Sequence, residues 1–336
     1  MKSASFDLSR RQVLTAAAGA VAGAWLPARA QTLEKLQFMT EFAPHGFHAP
    51  FYLAMQKGWF KDAGIDLDLK DGRGTAATIN LVGAGQVEVG FVNLSGGVIA
   101  RSKGVPVKAI ASILRKGTNG LIMTPGTGIR TPQQLRGKTV LYATTTIEAQ
   151  LLDGYLATAG MTREDVKMLG VDSASKVAGV LGGKGDVAVG PVPYYLGLLE
   201  GKPDRVETVL FDDAGIRMLD FGLVAQDSTI AARPTVLANF VKVVSRAFDY
   251  TRTGNNVDEA VKAMIALRPN ANIDPVTAVN MFKSHAQHIP SPATAGKPVG
   301  YLAPQEMRET VKTLKDVKVI DAGLNPEETY TIAFNP

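Results

Sequence analysis

Residues 41–71 of this chain read EFAPHGFHAPFYLAMQKGWFKDAGIDLDLKD, with a loop, a helix and a strand expected in close succession. The stretch begins as a loop rich in ring side chains. A short amphipathic helix follows, which Pro50 opens and Gly58 ends. The alternating segment Ile65–Leu69 then predicts a strand. None of these side chains forms a catalytic set, so the stretch is typical of a place where a small molecule is held.

The alternation of strands and helices continues on both sides of this stretch. We expect a strand at Leu36–Met39, a helix at Thr75–Val82, a strand at Val87–Val92, a helix at Leu94–Lys103 and a strand at Val107–Ile113. A continuous apolar run bounded by glycine, as at residues 87–92, is typical of a strand buried on both faces. This order predicts an α/β fold with parallel sheets covered by helices on both sides.

A short internal echo indicates two similar halves. The sequence GQVEVG at Gly85–Gly90 returns one hundred residues later as GDVAVG at Gly185–Gly190. We therefore predict two α/β lobes of similar topology with a ligand cleft between them, which 336 residues are enough to build. Lobe one is placed at residues 31–126 plus 222–336 and lobe two at 127–221, and helices after residue 225 are expected to pack on lobe one.

The first thirty residues have the features of an export signal. Arg10 and Arg11 precede an apolar run from Val13 to Leu26, and Ala28-Arg29-Ala30 gives the small-x-small pattern of a cleavage site. We predict cleavage before Gln31 and a periplasmic mature protein. The paired arginines favour twin-arginine export over a Sec signal with a basic start.

Charge and cysteine content exclude several classes of function. Residues 1–30 contain four of the basic residues and one acidic residue, so the net charge of +5 falls to about +2 once they are removed. That charge does not predict a nucleic-acid partner. The chain has no cysteine, which excludes thiol catalysis, zinc-thiolate sites and disulfide chemistry. We expect no cofactor.

Polar and aromatic side chains stand at the ends of the expected strands and at helix starts, where an α/β cleft would collect them. Helix capping is the alternative role for the threonines, and packing is the alternative for the tyrosine. The candidate ligand-binding residues at these positions are His45, His48, Thr75, Asn93, Ser95, Thr144, Thr145 and Tyr194.

Two motifs suggest other chemistry and are weaker. Gly72–Ala77 fits the dinucleotide pattern G-x-G-x-x-A, but the expected acidic residue is missing, because Glu88 is only sixteen residues beyond Gly72 and lies in an apolar run. A tight turn is the simpler interpretation. His45 and His48 with Glu41 could be a metal set, yet a loop spacing of three does not direct two imidazoles to one ion. We predict neither a metal nor a catalytic residue.

Four segments together resemble one family. They are Lys57–Phe60, Gly64–Leu67, Gly85–Phe91 and Gln134–Val140. They are similar to the periplasmic binding proteins of the nitrate, taurine, alkanesulfonate and thiamine-pyrimidine-precursor group of ABC importers. The resemblance implies a two-lobed type II binding-protein fold with two hinge crossings. It also implies a small-molecule ligand, with a membrane permease and ATPase as partners. Carried over to this chain, the family's cleft-facing positions are Phe42, His45, His48, Thr75, Asn93, Thr144, Thr145 and Tyr194, and Glu41 is a further candidate. We expect a monomer.

The ligand and a rival class stay open at this point. Rings and hydroxyls suit a flat polar heterocycle such as an aminopyrimidine, with Glu41 receiving an amine. A small organic anion such as a sulfonate could instead bind at the helix start beside Thr75 and Arg73. The rival is an enzyme, because some relatives of this fold make the thiamine pyrimidine with a cysteine-rich motif and a reactive histidine. An exported oxidoreductase using Gly72–Ala77 is a second rival.

Overall fold

The computed structural model describes residues 32–336 apart from 145, 147 and 200–204. The predicted signal peptide and Thr145 therefore lie outside the described residues. From Glu34 onward the described residues form one compact unit. None of the helices described is long and apolar enough to cross a membrane.

The first of two sheets has the strand order β2-β1-β3-β10-β4. Its strands are β1 (Glu34–Met39), β2 (Ile65–Lys70), β3 (Val89–Asn93), β4 (Val107–Ser112) and β10 (Phe221–Gln226). Strand β1 runs parallel to β2 and β3, and β10 runs antiparallel between β3 and β4. All five residues of β3 are buried, as the continuous apolar run predicted.

The second sheet has the order β7-β6-β8-β5-β9. Its strands are β5 (Asn119–Met123), β6 (Thr139–Tyr142), β7 (Lys167–Gly170), β8 (Val187–Pro191) and β9 (Glu207–Leu210). Strand β5 is antiparallel to both neighbours. The α/β class is confirmed, but each sheet is mixed and not wholly parallel. The reason is that β5 and β10 arrive from the other sheet and enter in the opposite direction.

The internal echo corresponds to a repeated topology. The two echo segments lead into strands β3 and β8. Each of these strands occupies the middle position of its sheet. The chain passes between the sheets at residues 113–118 and 211–220. Strand β5 begins at Asn119, ahead of residue 127, where we placed the start of lobe two. The division into lobes stays a prediction.

Twelve α-helices lie in the described part of the chain. They are α1 (Ala49–Gln56), α2 (Trp59–Asp62), α3 (Thr75–Gly83), α4 (Leu94–Ser102), α5 (Glu148–Ala157), α6 (Lys176–Leu181), α7 (Val192–Leu198), α8 (Asp227–Ala232), α9 (Pro234–Thr251), α10 (Asn256–Leu267), α11 (Pro275–Ala286) and α12 (Pro304–Asp316). Gly58 adopts a left-handed conformation between α1 and α2, as a helix stop requires.

The C-terminal helices divide between the two sheets. Helices α9 and α10 pack on α1, where the Phe38 ring lies 4.9 Å from that of Phe51 and 5.1 Å from that of Phe240. Helix α11 instead packs on α7, which follows β8 of the second sheet. A Cβ added at Gly197 of α7 would lie 2.2 Å from Cγ of Met281 in α11. The two helices therefore approach too closely there for any residue but glycine.

Candidate functional site

A cavity of about 620 Å³, its open mouth included, lies where strand ends of the two sheets meet. The first sheet contributes Glu41, Phe42, His45, Gly74, Thr75, Asn93 and Phe221. The second sheet and its helices contribute Asn119, Thr146, Glu148, Ser173, Pro191, Tyr194 and Tyr195, and α11 contributes His285.

A buried carboxylate held by two imidazoles forms one wall of the cavity. His48 Nε2 lies 3.1 and 3.0 Å from the two Glu41 carboxylate oxygens, and His45 Nε2 lies 3.2 Å from Oε1. The loop is tied to the start of α3, because the Gly74 amide donates to the Glu41 carbonyl at 2.6 Å. Short local bonds and this tie fix the carboxylate in the wall.

Charge and burial determine the protonation of this group. Burial alone would raise the pKa of the Glu41 carboxyl, but attraction and hydrogen bonds from His48 and His45 lower it well below its ordinary value. Burial, together with the neighbouring His48, lowers the pKa of His45 to about 4. At neutral pH the wall therefore presents an ionised Glu41 and a neutral His45.

Glu41, His45 and His48 have the composition of a metal site, but the position of the proton on His45 does not suit metal binding. Glu41, His45 and His48 bring one possible ligand atom each within 4.8 Å of the others. The Phe47 amide donates to His45 Nδ1 at 3.3 Å, so the proton of neutral His45 sits on Nε2, the nitrogen that faces Glu41. A protonated nitrogen cannot ligate a cation. The arrangement fits a hydrogen-bonded carboxylate better than a metal ion.

Aromatic rings surround the carboxylate. The Tyr194 ring is edge-on to His45 at 5.3 Å and to Phe42 at 6.3 Å between centroids. His285 lies 6.0 Å from His45 and stacks on Phe47 at 4.8 Å. The sequence does not indicate that His285 lies beside this loop, because about 240 residues separate them and hydrophobic periodicity does not report such distant contacts. Burial lowers the pKa of His285 to about 3, so it is neutral too.

Asn93 links the cavity to both passages between the sheets. Its Nδ2 donates to Asp220 Oδ1 at 2.5 Å, and its Oδ1 accepts from the Ser95 amide at 3.0 Å. Asp220 Oδ2 accepts from the Thr118 amide at 2.6 Å and from the Thr118 hydroxyl. Thr118 lies on one passage and Asp220 on the other. Asp220 thus joins the two passages to one wall residue of the cavity.

We expect Asp220 to make stability depend on pH between about 4 and 6. Burial raises its pKa from 3.8 to about 6, so the folded state holds this proton more tightly than the unfolded state. The resulting stabilisation is complete below the unfolded pKa and is lost as pH rises through about 6. Relative to Asp220→Asn, the wild-type free energy of unfolding should fall by about 2 kcal/mol from pH 4 to pH 7. Urea unfolding at both pH values measures this.

The control for that experiment is Asp213→Asn, because Asp213 is exposed and lies on the same passage as Asp220. It reports the effect of replacing a carboxyl group by an amide without removing the buried bonds of Asp220. Parallel pH profiles for the wild type and Asp220→Asn would contradict the assignment of a raised pKa to Asp220.

The structure brings some of the predicted site residues to the cavity and leaves others outside it. Six of them line the cavity, namely Glu41, Phe42, His45, Thr75, Asn93 and Tyr194. His48 is buried behind Glu41. Ser95 does not line the cavity, because its hydroxyl is buried and donates to the Leu219 carbonyl at 2.9 Å. Thr144 is exposed, and Thr146 lines the cavity in its place. Ligand binding by any of them stays a prediction.

Sequence reasoning missed wall residues in the second half, most importantly Glu148 and Ser173. Ser173 follows β7 much as Thr75 follows β2, and the two strands hold the same edge position in their sheets. Extending the internal echo to these positions would have found Ser173. Glu148 is the first residue of α5, after β6. An acidic residue at a helix start usually interacts with the helix dipole, so the sequence did not indicate a ligand-binding role for Glu148.

The glycines of the dinucleotide-like motif are explained by packing. A Cβ at Gly72 would lie 2.1 Å from the Thr40 carbonyl oxygen, and Gly74 has a φ of 127°. Both positions need glycine so that the chain can pass close to the loop after β1. The motif therefore gives no support to nucleotide binding.

Comparison with known proteins gives a family and a fold. The family model described as "NMT1/THI5 like" matches residues 46–256. The 4-amino-5-hydroxymethyl-2-methylpyrimidine phosphate synthase of Aspergillus parasiticus is 25% identical over 233 residues, 65% of this chain and 66% of that protein. The formylaminopyrimidine-binding protein of Halalkalibacterium halodurans is 23% identical over 244 residues, 72% of this chain and 73% of that protein.

Solved structures share the fold at low sequence identity. The alkanesulfonate-binding protein SsuA of Xanthomonas axonopodis pv. citri, bound to MOPS, superposes with a TM-score of 0.67 and 12% identity. The superposition covers 88% of this chain and 98% of that one. The periplasmic binding protein fold that the sequence motifs predicted is thereby confirmed.

Proposed function

Because the chain belongs to the NMT1/THI5-like family, we propose that it is the solute-binding component of an ABC importer and holds an aminopyrimidine or similar nitrogen heterocycle. The observation that carries this proposal is the ionised Glu41 in a ring-lined cavity between the two sheets. A buried carboxylate is a strong acceptor for an amino group. The formylaminopyrimidine-binding relative supports the same ligand class.

The negative charge of the cavity wall makes an anionic ligand unfavourable. Two carboxylates, Glu41 and Glu148, line the cavity, and neither lysine nor arginine is among its described lining residues. A sulfonate or carboxylate ligand would meet like charge in a partly enclosed space, where screening by water is weak. The helix start at Thr75 offers only a partial positive charge against this. Among the ligands that the fold accommodates, a neutral or cationic heterocycle fits best.

The rings favour a flat ligand. The rings of Phe42 and His45 line the cavity, and each lies within about 6 Å of the Tyr194 ring. A planar heterocycle can pack against such rings, and each pair contributes about 1 kcal/mol beyond the apolar area that it buries. Hydroxyls at Thr75, Thr146 and Ser173 can pair with polar atoms at its rim.

In the proposed mechanism the two sheets belong to two lobes joined by the passages at 113–118 and 211–220. The ligand enters the open cleft, contacts both lobes and shifts the population toward the closed form, without breaking a bond. The mature protein acts in the periplasm as a monomer after cleavage of a twin-arginine signal before Gln31. It delivers the ligand to a membrane permease driven by an ATPase.

Calorimetric titration of the purified protein tests the ligand class. We expect 4-amino-5-hydroxymethyl-2-methylpyrimidine or its formylamino analogue to bind with a Kd of about 1 μM or lower. Methanesulfonate and MOPS should give no heat of binding at millimolar concentration. Tight binding of a sulfonate, with no binding of either pyrimidine, would overturn the proposal.

An enzyme is the second candidate, because several relatives, including those of Aspergillus parasiticus and Candida albicans, are named pyrimidine phosphate synthases. The cysteine-rich motif of such enzymes has no counterpart in a chain without cysteine. Mass spectrometry of the small molecules released from the denatured purified protein would reveal a pyrimidine phosphate product if the chain is a synthase. An absorbance band above 320 nm in the purified protein would instead favour the exported oxidoreductase with a bound flavin.

A further inference from the structure

A buried ion pair stands behind the wall that the second sheet contributes. Lys176 is fully buried, and its Nζ donates to the Val189 carbonyl at 2.9 Å and lies 3.4 Å from Glu148 Oε1. The same ammonium lies 5.6 Å from the centre of the Tyr195 ring. A buried ammonium is stable only with a counter-charge. Although burial raises the pKa of Glu148, Lys176 opposes that rise, and we assign the pair as ionised.

Two polar atoms of this wall have no partner among the described residues. Glu148 Oε2 is buried without a hydrogen bond, and so is the Tyr195 hydroxyl. Both residues line the cavity. Of the buried side-chain atoms without a partner among the described residues, these are the two that belong to cavity-lining residues, so a molecule bound there can complete their bonding. An ionised carboxylate can only accept, whereas the tyrosine hydroxyl can donate.

We propose that Glu148 is a specificity-determining residue, whose free carboxylate oxygen accepts an N–H of the ligand while the Tyr195 hydroxyl donates to a ring nitrogen. This inference rests on the proposed function and narrows its ligand class. The matching ligand edge carries an amino group beside an unprotonated ring nitrogen. Glu41 then binds a second N–H from the opposite wall.

The proposal has a consequence for a closely similar molecule. Replacing the ring amino group by a carbonyl reverses the edge, since the carbonyl accepts and the adjacent ring nitrogen is protonated. The carbonyl oxygen would face the Glu148 carboxylate, leaving both without a donor. Sites built to pair with a polar group reject an analogue that lacks it by large factors. We expect the wild type to prefer the 4-amino compound to its 4-oxo analogue by at least about 100-fold.

Glu148→Gln tests this assignment by calorimetry with both compounds at pH 8. A glutamine amide can either donate or accept, so the variant should bind the two compounds within about tenfold of each other. The matched control is Glu164→Gln, since Glu164 is exposed and lies outside the cavity. It should keep the wild-type preference.

The variant leaves Lys176 without its counter-charge, so Glu148→Gln/Lys176→Met is measured beside it and replaces it if the single variant does not fold. A variant that keeps a 100-fold preference for the amino compound would overturn the role of Glu148 and leave the proposed function standing. A wild type that binds neither compound would instead overturn the proposed function. A wild type that binds both equally would overturn this inference alone.

Discussion

Replacing Glu41 with glutamine is expected to weaken aminopyrimidine binding about 100-fold or more. A hydrogen bond to a charged group contributes about 1.5–3 kcal/mol, and the variant loses that bond to the ligand. The new amide also turns an N–H toward the imidazole protons of His45 or His48, which now donate to both carboxylate oxygens. The wall would then carry unpaired donors in a buried place. Calorimetric titration with the 4-amino pyrimidine measures the loss.

Stability should change in the same variant. Because the folded state lowers the pKa of Glu41, its contribution is present above the ordinary value of 4.5 and is lost as pH falls through the folded value. Glu41→Gln should therefore unfold at lower urea than the wild type at pH 7. Glu164→Gln, at an exposed position outside the cavity, is the matched control and should bind within twofold of the wild type. Unchanged affinity in Glu41→Gln would contradict the role of the carboxylate.

Gly197→Val is expected to prevent the close packing of α7 on α11 and to weaken binding at least tenfold. A Cβ there would lie 2.2 Å from Cγ and 2.7 Å from Cα of Met281, so backbone must move. No cavity-lining side chain is altered, yet Tyr194 and Tyr195 on the same helix would be displaced with it. Calorimetry gives the affinity, and X-ray scattering with ligand shows whether the protein still becomes more compact.

The control for this experiment is Gly323→Ala, because a Cβ at Gly323 would meet no atom within 4 Å. It should bind and compact like the wild type. If Gly197→Val binds the ligand with wild-type affinity, then the contact between α7 and α11 does not belong to the ligand-bound form.

The elements of the fold were accessible from sequence because local patterns determine them. Helix α10 begins and ends at Asn256 and Leu267, with its buried residues on one stripe. The apolar run before Asn93 became a fully buried strand. The sequence did not predict that β10 runs antiparallel to β3 and β4. The direction of a strand in its sheet depends on the path of the chain through the fold and not on the residues of the strand.

The site was predicted in part, and the limit is physical. His45 and His48 could be placed in one loop with Glu41, but their role follows from the Phe47 amide, which fixes the proton on His45 Nε2. His285 reaches the same place from a distant helix. A buried histidine on an amphipathic helix has the same pattern whether it faces a ligand or the core.

The placement of β10 also determines when the first sheet can be completed. This strand separates β3 from β4, yet it is synthesised after the whole second sheet. Until residue 226 is available, β3 and β4 lack the partner that joins them, and their edges offer unpaired amides and carbonyls to any other chain. The second sheet has all of its strands once residue 210 has been made, so it can form first. The first sheet can be completed only after residue 226, when about two thirds of the 336 residues have been made. Until then the edges of β3 and β4 need protection from aggregation.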